Sequence, residues 1–371
     1  MSWPIYPQPL TAWRFKHIIT IPVSLPVSVM NQVTMRDVAR EVGVSVNTVS
    51  RALAGKPDVN PQTRARVLEV AERLGYRPNR LARGLRSNKT GTIGVIVTDI
   101  ANPFFGALVK GVEKAARARD YSIILQDTDE DYEREKEAIQ VMLAERVDGL
   151  LITPVQTRTE TIEELKECGL PFVLLGRHFD DIETDYVVTD DVEGGFLATE
   201  HLIKLGHRRI AMINGPLHIS SAKERFQGYR KALDRSGVKL DESIVSSGAI
   251  TMDDGYRVSK SLLTRRNRPT AIFAYSDFVA FGVMKAVREV GFHLPDDVAV
   301  VGYDDVQLSS CLEVPLTTVR IPTEELGRKA TELLVKKMNH ELDKALVCLL
   351  KAELIVRQST GGEREARTKK C

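Results

Sequence analysis

The sequence predicts an α/β protein: an N-terminal three-helix helix-turn-helix unit followed by two stacked lobes of doubly wound parallel sheet with a cleft between them. Three observations carry that expectation. The stretch GVSVNTVSRALAG, Gly43 to Gly55, is a short amphipathic helix whose outer face holds small polar residues and one arginine instead of the Glu and Lys of a solvated face. From Ile93 onward, near-continuous apolar segments alternate with amphipathic helical ones, the pattern of parallel sheets covered on both faces. Charge is divided unevenly. Residues 34–90 carry twelve Lys and Arg against five Asp and Glu, whereas residues 91–371 sum to −7 in a chain of net charge +2. A basic head on an acidic body points to a polyanionic partner for the head alone.

Residues 1–32 contain five prolines in MSWPIYPQPLTAWRFKHIITIPVSLPVSVM. They read as a disordered extension, with neither the unbroken apolar length of a membrane span nor a signal peptide's cleavage site. The four cysteines, Cys168, Cys311, Cys348 and Cys371, are widely spaced and lack neighbouring histidines. That argues against a zinc site or a disulfide framework and fits a reducing cytoplasm.

Residues 33–78 read as the helix-turn-helix domain. Thr34 is placed to cap a first helix with Asp37 three residues on. Met35, Val38, Ala39 and Val42 form its inner stripe, Gly43 allows the turn, and Ser45 caps a second helix from Val46 to Leu53. A third helix follows Asn60-Pro61, with Val67, Val70, Ala71 and Leu74 facing inward. The second helix of such a unit enters the major groove. Val46 suits a thymine methyl, Asn47 an adenine and Arg51 a guanine; Thr34, Ser45, Thr48 and Ser50 suit phosphates. Residues 79–90 read as a hinge helix and linker, begun by Asn79 and holding Ala82 and Leu85 among Arg80, Arg83, Arg86 and Lys89. A basic segment with an apolar tip fits a minor groove, and it is too short to be stable alone.

Residues 91–360 read as the two-lobed body, with 361–371 a polar tail. TIGVIVTD, YSIILQDTD, DGLLITPV, PFVLLGR, RRIAMING, TAIFAYSD and DVAVVGYDD are its strands. Ligands of such sheets bind at carboxyl strand ends. That draws attention to Asn102-Pro103-Phe104-Phe105, Arg225, Ser276-Asp277 and Asp304-Asp305. Aromatic faces, an arginine and carboxylates suit a small polar ligand such as a sugar or nucleobase. No Walker loop, G-x-G-x-x-G, G-x-S-x-G or H-E-x-x-H is present. No catalytic residue, metal or cofactor is therefore expected.

VTMRDVAREVGVSVNTVSRAL, YRPNRLARGL, NPFF, LGHRRIAMINGP, VVGYDD and LTTVRIP…AELIVRQST occur in order. With these motifs the chain from Val33 to Thr360 resembles the LacI/GalR family of bacterial transcriptional regulators. The resemblance implies a periplasmic-binding-protein-like body and a cytoplasmic homodimer, most simply a repressor, on a pseudo-palindromic double-stranded operator. It places Val46, Asn47 and Arg51 at base-reading positions and Leu85 at the operator centre. Asn102, Phe104, Phe105, Arg225, Ser276 and Asp304 fall at effector-contacting positions, and effector binding is expected to shift the lobes and so the grip on DNA. Ser276-Asp277 stands where many members have Asn-Asp, and Ile250 and Ile321 stand where some have Trp and a polar residue. The alternative reading is a solute-binding receptor, since the body alone would serve that purpose.

Overall fold

The computed structural model describes residues 33–76, 89–342 and 344–362. The expected extension at 1–32 lies outside these residues, as does most of the hinge and tail, including Asn79, Arg80, Ala82, Leu85 and Arg86. The chain separates into two compact units, Met1–Asn79 and Arg80–Cys371.

In the first unit, α1 (Met35–Val42), α2 (Val46–Leu53) and α3 (Pro61–Arg73) surround a core of Val38, Val42, Val49, Ala52, Val67 and Val70. The boundaries follow from local chemistry. The Thr34 N–H and hydroxyl both donate to the Asp37 carboxylate, at 2.9 and 2.7 Å. Gly43 ends α1 in the left-handed region at φ 77°, which glycine adopts without steric cost. Ser45 Oγ accepts the Thr48 N–H at 3.1 Å, and Asn60 Oδ1 accepts the Gln62 N–H at 2.8 Å ahead of Pro61. These caps satisfy amides that a helix start leaves open.

The second unit contains two six-stranded sheets. The first uses β1 (Thr92–Val97), β2 (Ser122–Asp127), β3 (Gly149–Ile152), β4 (Phe172–Leu175) and β5 (Tyr186–Thr189). The second uses β6 (Ile210–Ile213), β7 (Val245–Ser246), β8 (Ala271–Ala274), β9 (Ala299–Asp304) and β10 (Thr317–Arg320). Late strands complete both: β11 (Val347–Leu350) pairs parallel with β5, and β12 (Glu353–Ile355) pairs antiparallel with β10. The orders are β11-β5-β4-β3-β1-β2 and β12-β10-β9-β8-β6-β7. The chain therefore crosses between lobes after β5, after β10 and between β11 and β12. Continuous burial along β3, β4, β6, β8 and β9 is why these strands read as apolar runs without alternation.

Helices cover the sheets in pairs. In the first lobe α4 (Pro103–Arg117) packs on α11 (Thr323–Met338), with α5 (Tyr132–Ala144) and α6 (Glu160–Cys168) also present. In the second, α7 (Asp191–Lys204) packs on α8 (Ser220–Arg235), and α9 (Met252–Leu263) on α10 (Asp277–Glu289). Each pair has a glycine from both partners at its contact: Gly111 with Gly327, Gly195 with Gly228, and Gly255 with Gly282. A Cβ on any of the six would fall 1.9–2.4 Å from a carbonyl oxygen of the partner helix. Backbone-to-backbone approach at three places thus depends on glycine.

Candidate nucleic-acid interface and ligand cleft

In the first unit, α2 presents Asn47 and Arg51 as exposed residues, with Thr48 and Ser50 half-buried beside them. Val46, expected to suit a thymine methyl, lies in the first turn of the same helix. It is half-buried and packs partly on the three-helix core. Ser45 and Thr48 hydroxyls are 2.8 Å apart. The Arg51 guanidinium forms an ion pair with Asp58, on the connector to α3.

In the second unit, the six residues expected at the effector site, Asn102, Phe104, Phe105, Arg225, Ser276 and Asp304, line one cleft. Most of its wall comes from carboxyl strand ends: Asp99 after β1, Glu130 after β2, Thr153 after β3, Arg177 after β4, Tyr275 after β8 and Asp304 ending β9. Arg225 does not follow a strand as expected. It reaches the cleft from the second turn of α8, brought close by the Gly195–Gly228 contact.

Two guanidiniums organise the polar chemistry. Arg225 is 6% exposed. Its Nε donates to Asp191 Oδ1 at 2.8 Å and its Nη1 to the Tyr275 carbonyl at 2.6 Å. Its Nη2 stands 3.9 Å from Asp304 Oδ1, and the group lies over the Tyr303 ring at 3.7 Å. Burial opposes the charge, but Asp191 together with Tyr303, Tyr275 and Asp304 holds the guanidinium pKa above its ordinary value. Arg177, 5% exposed, forks to both oxygens of Glu130 at 2.9 and 2.5 Å and donates to the Pro154 carbonyl at 2.9 Å. Burial alone would raise the Glu130 carboxyl; Arg177 overrides it and lowers it. Such bidentate pairs are the strong, directional kind.

Asp304 has φ 113°, in the region that disfavours side chains. Burial pushes its carboxyl well above the usual range, against the pull of Arg225. The carboxyl thus stands close to a fixed guanidinium without a short ion pair between them. Asn102 and Ser276 line the cleft while capping helices: Asn102 Oδ1 accepts the Phe104 N–H at 3.1 Å, and Ser276 Oγ accepts the Val279 N–H at 3.2 Å. Phe104 and Phe105 meet edge to face, ring centroids 5.1 Å apart. With Ile250, Ile321 and Leu326 they make the apolar side.

Asp277 and Asp305, also singled out at strand ends, do structural work. Asp277 accepts from the Val306 N–H, the Ser309 hydroxyl and the Thr318 hydroxyl at 2.9, 2.6 and 2.5 Å. Asp305 holds Arg320 and Arg357 at 2.7 and 2.6 Å. Sequence reasoning missed Arg177, Glu130, Asp191 and Tyr275. Their segments, LLGRH, DTDED, TDDVE and FAYSD, also follow strands, so a uniform inspection of every strand end would have gathered them.

Polar side chains also bridge the two lobes. Gln156, after β3, accepts the Ser220 N–H at 3.0 Å and donates to the His178 carbonyl at 2.6 Å. The His178 N–H donates to Ser220 Oγ at 3.1 Å, and Lys223 donates to Asp180 at 2.6 Å. Glu224 lies 3.4 Å from the His178 ring. Burial first, then the Asp191 and Asp180 carboxylates, raise Glu224 to about 7, with Arg225 opposing. Between its ordinary value and pH 7 the folded state then binds more protons at this site than the unfolded chain. The contribution of Glu224 to stability therefore falls as pH rises through that window. We expect Glu224→Gln to remove it: the melting temperature of the wild type relative to the variant should decline between pH 5 and pH 8. A difference that stays flat would place Glu224 in an ordinary carboxylate environment.

A helix-turn-helix unit joined to a two-lobed, cleft-bearing body is the arrangement of a DNA-binding regulator with a separate ligand-binding module. Residues 34–79 match the family described as bacterial regulatory proteins, lacI family, and residues 90–358 match periplasmic binding proteins and sugar binding domain of LacI family. The chain belongs to the LacI family of bacterial regulators. It is 39% identical over 330 residues to catabolite control protein A of Priestia megaterium, covering 88% of this chain and 99% of that one. Among solved structures it resembles the lac repressor dimer bound to operator and an anti-inducer, with TM-score 0.80 and 30% identity over 88% of this chain and 99% of that one. It also resembles a complex of the transcriptional regulator CelR with cellobiose, with TM-score 0.69, 35% identity and the same coverage. No helix among the described residues is long and apolar enough to cross a membrane.

Proposed function

We propose that the chain is a cytoplasmic repressor that binds a pseudo-palindromic operator as a homodimer, and that a neutral polyhydroxylated ligand in the cleft controls its affinity. Val46, Asn47 and Arg51 read bases; Thr34, Ser45, Thr48 and Ser50 hold phosphates. Asn102, Phe104, Phe105, Arg225, Ser276 and Asp304 contact the ligand. No catalytic step is assigned. The operator-bound dimer and the cellobiose complex among similar structures support this reading.

The charge inventory of the cleft is the observation that carries the ligand class. Asp99, Glu130, Asp191 and Asp304 face two guanidiniums, Arg177 and Arg225. Both guanidiniums already hold carboxylates. Glu130 and Asp191 thus already neutralise the two cations, so a phosphate or carboxylate ligand would find no uncompensated positive charge, whereas hydroxyls can bridge the open distance between Arg225 and Asp304. Phe104 and Phe105 suit the apolar face of a sugar ring.

The test uses duplexes selected from randomised DNA and a fluorescence titration with neutral sugars and their phosphate esters. A neutral sugar should change operator affinity by about 5- to 150-fold, the usual range of allosteric coupling, and its phosphate ester should not. Binding should weaken steeply with salt. Failure to enrich any inverted repeat would remove the repressor reading; a response confined to phosphate esters would remove the ligand class.

A further inference from the structure

We propose that Asp58, on the connector between α2 and α3, is a positioning residue that sets the base specificity of Arg51. The inference rests on the reading of α2 as the base-contacting helix. The two side chains form an ion pair, and both are about half exposed, at 45% and 52%. Exposed pairs of this kind contribute little to stability, so folding gives weak reason for an acid at this place.

The mounting of the acid gives a better one. Asp58 lies between Pro57 and Val59, and Val59 is 9% exposed within the three-helix core. The Lys56 N–H donates to the Arg51 carbonyl at 3.1 Å, closing the connector onto the end of α2. On the other side Asn60 caps α3. The backbone of Asp58 is therefore fixed from both directions, while the arginine beside it is a long side chain with many rotamers to choose among. Asp58 is the fixed member of the pair and Arg51 the one positioned.

The charge has a cost that points the same way. A carboxylate beside a DNA-facing arginine opposes the phosphates and lowers affinity for any duplex. The other acids of the segment are placed differently: Asp37 accepts from Thr34, Glu41 pairs with Arg73 across the helices, and Glu69 and Glu72 lie on α3. A guanidinium has five N–H donors. Asp58 engages one terminal nitrogen and leaves the others to fork onto the O6 and N7 acceptors of a guanine. General affinity is given up for discrimination at one base pair.

Binding-site selection from randomised duplexes tests this with the full chain. The variants are Asp58→Asn, Asp58→Glu, Arg51→Ala and the Asp58→Asn/Arg51→Ala pair. We expect Arg51→Ala to erase the preference at one symmetric pair of positions. Asp58→Asn should weaken the preference at those same positions about 5- to 10-fold, leave the others intact and raise affinity for random DNA. Asp58→Glu should restore part of the preference, and Asp58→Asn should add nothing there once Arg51 is gone. Unchanged melting temperatures would exclude a folding effect. A selected profile for Asp58→Asn identical to wild type, or altered at other positions, overturns the proposal. A profile unchanged by Arg51→Ala overturns it together with the base-reading assignment of α2.

Discussion

Replacing Arg225 with alanine should lower the stability of the two-lobed unit by about 3–5 kcal/mol and abolish the ligand response. The guanidinium satisfies Asp191 at 2.8 Å and the Tyr275 carbonyl at 2.6 Å, and is the cation nearest Asp304. Removing one partner of a buried ionic cluster leaves the remaining charges uncompensated, and that penalty exceeds the net worth of the original pairing. Arg225→Lys keeps the charge but cannot hold the carboxylate, the carbonyl and the ligand in one plane, so an intermediate loss is expected. Thermal melting measures the stability effect, and ligand titration below the melting range measures the binding effect. Phe104→Ala separates the two, because it leaves the Arg225 cluster intact. It should weaken the ligand while costing less stability. An Arg225→Ala protein that melts near the wild-type temperature would show that Asp191 and Asp304 find other partners.

Gly228→Ala should be nearly as damaging, although alanine is the better helix former by ~1 kcal/mol. The new methyl would lie 2.1 Å from the Val192 carbonyl oxygen and 2.6 Å from the Phe196 amide nitrogen. Both atoms are backbone on α7, so no rotamer change relieves the overlap, and α8 must move away. Overpacking relieved by side-chain shifts costs ~1–3 kcal/mol; a backbone obstacle places this variant at about 3 kcal/mol or more. The melting temperature should fall by roughly 6 °C or more. The same displacement would carry Arg225 from Asp191, because Gly195 faces the Arg225 carbonyl in this contact. Ligand affinity should therefore fall with stability, unlike in an ordinary surface Gly→Ala change. A neutral or stabilising result would mean that the two helices are further apart.

Much of the architecture was legible because it is written locally. Gly43, Ser45, Asn60 and Pro61 punctuate the first three helices through turns and caps that act within a few residues. The apolar runs at Thr92–Val97 and Ala299–Asp304 announce strands covered on both faces. Five of the six expected cleft residues could be chosen because strand ends are visible in a sequence and sheet topology brings such ends together; Arg225, which projects from α8, was indicated soundly only by the family resemblance. Ile250 and Ile321, where some family members carry a tryptophan and a polar residue, line the same cleft as Phe104 and Phe105.

Other features depend on pairings between distant segments, and no local signal encodes those. The partner of Arg225 is Asp191, 34 residues earlier, and that of Arg177 is Glu130, 47 residues earlier. The strand signals could not assign β11 and β12, separated by two residues, to different lobes. Asp277 looked like a ligand contact until its three donors were seen to be internal. By itself the sequence determined the starts of the first three helices, seven of the twelve described strands and the division into a basic head and an acidic body, because caps, periodicity and charge act over short distances. Only the tertiary structure decided which charges neutralise one another, which glycines let helices touch and which acids remain to meet a ligand, because those depend on atoms brought together from far along the chain.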